Sequence, residues 1–228
     1  MIKQPTSIYI NWAAYDELSD AVELTEELAM KQLTELLRLR KTGVRFDCYL
    51  MDAFWYDPTG AYRSWRKPHW PKGPDRWLNN CIENNIKPGM WFSGNSLCKL
   101  EPAPEWMDSF DKNTRGMCMF HGGFLPHWME TVQLWYKRGV RVFKLDFFHF
   151  EAAPEIVRRK YLPSEIRAMN ITSLRHGLGV LREECPEIYF LGYNGFEEAE
   201  TQGRTDIPFR KTVDPRWLDV FDSLYCGD

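Results

Sequence analysis

Apolar stretches typical of β-strands alternate with longer helical stretches along the whole chain. The predicted strands cover residues 7 to 12, 45 to 55, 86 to 93, 140 to 151, 188 to 195 and 217 to 228. Helices are predicted at 19 to 43, 74 to 85, 125 to 139 and 164 to 185, where apolar residues recur at helical spacing. The segment from 94 to 123 lacks such a period and is predicted to be a long loop. Strict alternation of strand and helix is typical of a parallel α/β fold.

The number of alternating units points to a barrel. A (β/α)8 barrel typically needs about 250 residues, and the chain has 228. An open doubly wound sheet is the alternative, but NWAAYDELSD, after the first strand, has no glycine-rich phosphate turn. We therefore predict a parallel (β/α)8 TIM barrel with about the first six units present, as one domain over residues 1–228 that is incomplete at the C-terminus. We expect the full-length protein to contain the rest of the barrel and to be able to carry flanking domains.

Composition excludes several classes of function. The chain is 44% hydrophobic with a formal net charge of -3, so neither nucleic acid nor a membrane is an expected partner. The six cysteines lie singly, and His121, His127 and His149 form no HxH or HExxH pattern, so no metal and no cofactor are expected. Ten tryptophans favour a carbohydrate site, because indole rings stack on the apolar faces of sugars.

Two charged residues interrupt the apolar stretch VRVFKLDFFHFE at 140 to 151. Lys144 and Asp146 stand at i and i+2, so their side chains leave a strand on the same face. Burying two charges costs several kcal/mol unless they are well compensated, and stability alone is a poor reason to place them there. A structural ion pair is one interpretation, and a functional site is the other.

Polar and aromatic residues recur where the predicted strands end. In barrel enzymes the chemistry gathers at the carboxyl ends of the strands. The residues found there are Asn11, Trp12, Asp52, Trp55, Trp91, Ser93, Lys144, Asp146, Tyr193, Asn194 and Asp228. Two carboxylates on opposite sides of a glycosidic bond are what a retaining glycosidase needs, one as nucleophile and one as acid and base.

Six short motifs resemble the catalytic barrel of the retaining α-galactosidases, the melibiase-like enzymes of glycoside hydrolase families 27 and 36 and their relatives. IYINWAAYDEL, YLMDAFWYD and IKPGMWFS resemble that family's first three strands, and QGRTD resembles its GGGRFD stretch. FKLDFF stands where the family has IKWDMN, whose aspartate is the nucleophile. LYCGD resembles VWTSD, whose aspartate is the acid/base.

The resemblance implies a role for each matching residue. Asp146 becomes the nucleophile and Asp228 the acid/base of a retaining glycosidase, with α-galactosides as the expected substrates. The residues expected to bind the glycoside or oligosaccharide are Asp52, Lys144, Trp12, Trp55, Trp91, Asn194 and Arg204. The chain departs from the family where sugar hydroxyls are bound: Met51 replaces an aspartate, Ser93-Gly94-Asn95 replaces EPE, and Phe148 replaces an asparagine.

Other activities fit the same fold. A carbohydrate-binding barrel that has lost catalysis is one alternative, suggested by Met51 and Ser93. A transglycosylase is another, because the same two carboxylates serve when a sugar hydroxyl replaces water in the second step.

Overall fold

The structure is a computed structural model that describes residues 6–12, 23–196 and 213–225. Its strands are β1 (Ile8–Ile10), β2 (Cys48–Met51), β3 (Lys87–Ser93), β4 (Phe110–Asp111), β5 (Gly116–Met117), β6 (Val142–Asp146), β7 (Tyr189–Gly192) and β8 (Ser223–Leu224). Its α-helices are α1 (Glu26–Arg40), α2 (Asp75–Glu83), α3 (Phe124–Lys137), α4 (Glu155–Arg158) and α5 (Pro163–Glu184). Two 3-10 helices span Pro104–Ser109 and Pro215–Asp219.

Six of these strands form one parallel sheet in the order β1-β2-β3-β6-β7-β8. Every neighbouring pair in it is parallel, and the sheet curls into a half-barrel. The predicted parallel α/β architecture is therefore confirmed, and it is consistent with part of a (β/α) barrel. The remaining strands, β4 and β5, pair with each other as an antiparallel hairpin.

The central strands of the sheet are buried on both faces, as in most parallel sheets. All residues of β2 and β6 are buried. The helices contribute one apolar stripe each to the core, including Leu33 and Leu36 of α1, Trp77 of α2, Val132 and Trp135 of α3, and Leu174 and Leu178 of α5. None of the described helices combines the length and the apolar character that crossing a membrane requires.

Two predicted boundaries need correction. The first helix does not begin at the predicted Ser/Asp cap, because residues 23 to 25 are not helical and Thr25 is the N-cap, its Oγ1 accepting a 3.1 Å hydrogen bond from the Leu28 amide. Within the described part of the predicted last strand, residues 217 to 219 belong to the 3-10 helix Pro215–Asp219, and Ser223–Leu224 form the short β8. The cause is Asp214, whose Oδ1 accepts a 3.0 Å hydrogen bond from the Arg216 amide and starts that turn.

The segment predicted as one long loop also has structure. It contains the 3-10 helix Pro104–Ser109 and the β4–β5 hairpin. Asn95 attaches the hairpin to the loop after β6, because its Nδ2 donates 2.8 Å hydrogen bonds to the carbonyls of both Met117 and His149. A buried asparagine that bridges two loops holds them in place without a regular apolar period, which is why the sequence pattern missed it.

Candidate active site

A cavity of about 370 Å³ opens at the carboxyl ends of the strands. Parallel pairing puts those ends on one edge of the sheet, and the register aligns Trp91 with Lys144 and Ser93 with Asp146. The polar side chains that line the cavity are those of Asp52, Cys98, Lys99, Lys144, Asp146 and Asn194. The aromatic ones are those of Trp12, Phe54, Trp91, Phe147 and Tyr193.

Lys144 is the charged centre of the cavity floor. Its Nζ lies 2.9 Å from Asp52 Oδ2 and 3.9 Å from Asp146 Oδ2, and all three residues are buried. Burial raises the pKa of the Asp52 carboxyl, although the ammonium of Lys144 opposes the shift. Strand geometry explains the arrangement, because the i, i+2 spacing turns Lys144 and Asp146 toward the same side.

Asp146 is held by hydrogen bonds at both oxygens. Its Oδ1 accepts from the Phe147 amide at 2.9 Å, from the Asn194 amide at 3.2 Å and from Asn194 Nδ2 at 2.8 Å. Its Oδ2 accepts from Trp91 Nε1 at 3.1 Å. Because these donors come from β3, from the loop after β6 and from the loop after β7, the carboxylate is fixed by three separate elements.

Tyr193 completes the environment of the lysine. The Lys144 ammonium lies 3.8 Å from the centre of the Tyr193 ring, which is close enough for a cation–π interaction. Tyr193 in turn stacks on Tyr225 with ring centres 4.0 Å apart. The residue after β7 and the residue after β8 therefore support the same charged group.

Asn11 orients Asp52 from the neighbouring strand end. Its Oδ1 accepts a 2.8 Å hydrogen bond from the Asp52 amide, while its Nδ2 lies 3.3 Å from Met51 Sδ. Asn11 is fully buried, so it acts on the site through Asp52 and lines no part of the cavity. Its position directly after β1 was the available sequence signal.

Two phenylalanines that line the cavity have a left-handed backbone. Phe54 has a φ of 69° and Phe147 a φ of 54°. Each follows a strand-end aspartate within two residues, and Phe147 is 43% exposed. Sequence analysis missed both residues, together with Cys98 and Lys99, because their placement depends on loop conformation.

Three predicted site residues do not line the described cavity. Trp55 is fully buried behind the wall of the cavity. Its Nε1 donates a 2.9 Å hydrogen bond to the Trp91 carbonyl. The expectation that Trp55 contacts substrate is therefore not supported. The left-handed turn at Phe54 directs the chain so that Trp55 enters the core. Arg204 and Asp228 lie outside the described residues.

The positions that differ from the resembling family are occupied by structural side chains. Met51 is fully buried in the core. Phe148 is also buried and packs on Phe196 with ring centres 4.7 Å apart. A Cβ at Gly94 would lie 2.4 Å from the Phe148 ring, so the glycine makes room for it. The hydroxyl of Ser93 donates to the Ser96 carbonyl.

Comparison with solved structures identifies related folds. A family 36 α-galactosidase, AgaB from Geobacillus stearothermophilus, matches with a TM-score of 0.69 at 15% identity over 100% of this chain and 31% of its own. AgaA from the same organism, solved with stachyose, matches with a TM-score of 0.66 at 16% identity over 99% and 31%. The α-galactosidase from Lactobacillus brevis matches with a TM-score of 0.63 at 15% identity over 84% and 27%.

These matches confirm the expected relationship at the level of structure. The fold is shared with α-galactosidases. Identities of about 15% make it a structural relationship, and the chain spans roughly a third or less of the length of each of these proteins. The sequence matches no protein-family profile, and no curated protein is similar to it.

Proposed function

We propose that this protein is a glycoside hydrolase that cleaves α-linked sugars by a retaining double displacement, with α-galactosides as its main substrates. The observation that carries the proposal is the Asp146 carboxylate. It is buried at the floor of a cavity, with both oxygens hydrogen-bonded and a lysine ammonium 3.9 Å away. Such a group is pre-positioned for attack, and the shared fold supports the same reading.

The proposed reaction has two displacements. In the first, an Asp146 oxygen attacks the anomeric carbon, the bond from that carbon to the leaving oxygen breaks, and Asp228 gives its proton to the leaving oxygen. In the second, Asp228 takes a proton from water, the water oxygen attacks the anomeric carbon, and Asp146 leaves. Oδ2 is the attacking oxygen we favour, because Oδ1 already accepts three hydrogen bonds.

Other cavity residues have supporting roles in this proposal. Lys144 lies beside the Asp146 carboxylate and, with Asp52, binds sugar hydroxyls, for which the pair offers both donors and acceptors. Asn194 and Trp91 hold the nucleophile in orientation. Trp91 lines the cavity where a sugar face can stack, and Trp12 lines its mouth, where another part of the substrate can stack. The contact of Arg204 with the substrate is proposed from the family resemblance alone.

A panel of p-nitrophenyl α- and β-glycosides tests the reaction class. We expect turnover of the α-galactoside, with the α-anomer of free galactose appearing first by NMR. A β-anomer appearing first would indicate inversion and contradict the double displacement. Sugar binding without turnover of any glycoside would instead identify a carbohydrate-binding barrel.

Chemical rescue tests the assignment of the nucleophile. In Asp146→Gly, added azide can enter the vacated space and attack the anomeric carbon in place of the carboxylate. We expect recovery of turnover with formation of β-galactosyl azide, which no other role of Asp146 predicts. Asp228→Ala should slow substrates with poor leaving groups far more than p-nitrophenyl galactoside, since only poor leaving groups need the acid.

A further inference from the structure

The cavity has two ends with different chemistry. At the floor, Asp52, Lys144 and Asp146 are at most 4% exposed. Toward solvent, the lining is aromatic: Trp12 is 36% and Phe147 43% exposed, and both belong to the same cavity. Large exposed apolar side chains that cluster in a concave site are a usual sign of ligand binding.

Each of these two exposed aromatic rings packs against a second aromatic residue. The rings of Trp12 and Phe54 lie 6.2 Å apart with their planes at 43°. Phe147 meets Trp91 edge to face, with ring centres 6.3 Å apart. Each pair holds its ring by aromatic contact and leaves part of its surface at the cavity mouth. A flat apolar group entering the mouth would find preformed aromatic surfaces.

Phe54 and Phe147 both have a positive φ, a backbone conformation that phenylalanine does not favour. A bulky side chain at positive φ is strained, and glycine or asparagine adopts the same conformation at lower cost. Phe147 is fixed there because its amide donates to Asp146 Oδ1 and its carbonyl accepts a 3.2 Å hydrogen bond from the Ser96 amide. Partial exposure means that core packing does not account for the ring.

Among the residues that the structure describes, hydrogen-bonding groups are scarce at this end of the cavity. A second sugar ring would need donors and acceptors for several hydroxyls. Among the described lining residues, the charged groups other than Lys99 are at the floor, and the Lys99 ammonium lies over the Phe54 ring at 4.3 Å. Asn194 is engaged with Asp146.

We propose that the leaving group accepted at this mouth is aromatic, so that the substrates are aryl or arylalkyl glycosides in preference to oligosaccharides. This inference rests on the proposed function. The floor binds the sugar that Asp146 attacks, and the aromatic mouth binds the ring of the departing alcohol. The bond from the anomeric carbon to the glycosidic oxygen breaks, and that oxygen leaves with the proton from Asp228 as a neutral aryl alcohol or phenol.

Three galactosides with similar leaving groups test the preference. In 2-phenylethyl α-galactoside, ethyl α-galactoside and the 6-linked disaccharide melibiose, the departing oxygen belongs to a primary alcohol in each case. Differences in kcat/KM therefore report the leaving-group site more than the chemistry of departure. We expect the phenylethyl compound to exceed both others at least tenfold.

Variants of the two strained phenylalanines connect that preference to the mouth. In Phe54→Ala and Phe147→Ala the ratio of kcat/KM for the phenylethyl over the ethyl compound should fall about two- to tenfold each, the range for one aromatic contact. Phe147→Gly should lower the ratio as much without lowering Tm, since glycine relieves the positive φ. Tyr161→Ala is the matched control, because Tyr161 is 42% exposed and outside the cavity.

The outcomes separate the two proposals. Melibiose hydrolysed as fast as the phenylethyl compound, or a ratio unchanged in both phenylalanine variants, would overturn the aromatic leaving group and leave the glycosidase intact. Absence of turnover for all three galactosides, and for the wider panel of aryl glycosides, would overturn both.

Discussion

Two buried carboxylates with basic partners behave differently in this molecule. Burial alone would raise the pKa of Asp111, but hydrogen bonds from Arg158, the Asn113 amide and Thr114 hold it below its ordinary value. Burial also raises the pKa of Asp52, and there the Lys144 ammonium and the Ala53 amide do not fully offset it. The two sites therefore have opposite pKa shifts.

The number of donors explains the difference. Asp111 anchors the β4–β5 hairpin to the segment around α4, and a longer 3.3 Å hydrogen bond from the Ala153 amide completes its shell. It lines no part of the described cavity. Asp52 faces the cavity with fewer donors, so part of its bonding capacity is available to a ligand. A saturated buried carboxylate stabilises the fold, whereas an undersaturated one in a cavity suits binding.

The largest expected effect is the loss of activity on substituting Asp146, the carboxylate at the cavity floor. Asp146→Asn keeps the shape of the side chain but cannot form the glycosyl ester. We expect kcat to fall by about 10³-fold or more, or roughly 4 kcal/mol of transition-state stabilisation, with Tm within a few degrees of wild type. Steady-state kinetics on p-nitrophenyl α-galactoside, with circular dichroism, checks this. Activity within about tenfold of wild type would exclude a nucleophile.

At the β4–β5 hairpin we expect the reverse, a loss of stability with little change in activity. Asp111→Asn removes the charge that Arg158 pairs with, and breaking a buried pair usually costs about 3–5 kcal/mol. Arg158 is partly exposed, so we expect a lower cost, about 2–3 kcal/mol, or a fall in Tm of roughly 5–10 °C.

Activity per folded molecule should stay close to wild type, since Asp111 lines no part of the cavity. Denaturant unfolding and kinetics below the transition measure the two quantities. Asp108→Asn, at an exposed position in the same segment, is the control and should change neither. Loss of activity in folded Asp111→Asn would show that the hairpin controls the site and would end the distinction.

The sequence predicted the elements that obey a simple period. Alternation of strand and helix fixed the parallel architecture, and the i, i+2 rule placed Lys144 and Asp146 on the same face. Strand ends of a parallel sheet meet at one edge, which brought Asp52 to them. These inferences needed only local geometry and one rule of topology.

The remaining features depend on contacts between distant loops. Phe147 lines the cavity because its amide and carbonyl are both engaged, the latter by Ser96 some fifty residues earlier. Trp55 was predicted at the cavity wall, yet the left-handed turn at Phe54 directs it into the core. Asp111 has no periodic signature at all, because its partners come from the hairpin turn and from the distant segment around α4. No local sequence pattern encodes such contacts between distant segments.

Asn194 offers a smaller test of how the cavity carboxylate is held. Asn194→Ala removes the side-chain donor to Asp146 Oδ1 but leaves two backbone amides there. We expect kcat to fall about tenfold, roughly 1.4 kcal/mol, with KM changed less than twofold, because the lost contact orients the nucleophile. Asn84→Ala, a half-buried asparagine after α2, is the control. A change in KM alone would assign Asn194 to sugar binding instead.

The smallest expected effect concerns the sign of a pH dependence. In Lys144→Met the main group that lowers the pKa of Asp52 is gone, so that pKa rises further above its unfolded value. The folded protein then binds a proton that the unfolded chain releases, and stability is present at low pH and lost as the pH rises through the folded pKa. Asp111, with its lowered pKa, gives the opposite sign: its contribution is lost as the pH falls.

Urea unfolding of Lys144→Met at pH 5 and pH 7 measures this contrast. We expect the variant to lose on the order of 1 kcal/mol more relative to wild type at pH 7 than at pH 5, since one proton contributes at most about 1.4 kcal/mol per pH unit. In the double variant Asp52→Asn, Lys144→Met, no carboxyl remains at position 52 to titrate, so the extra loss should disappear. An equal loss at both pH values in the single variant would mean that Asp52 stays ionised without its lysine, and that donors other than Lys144 satisfy it as fully as Asp111 is satisfied.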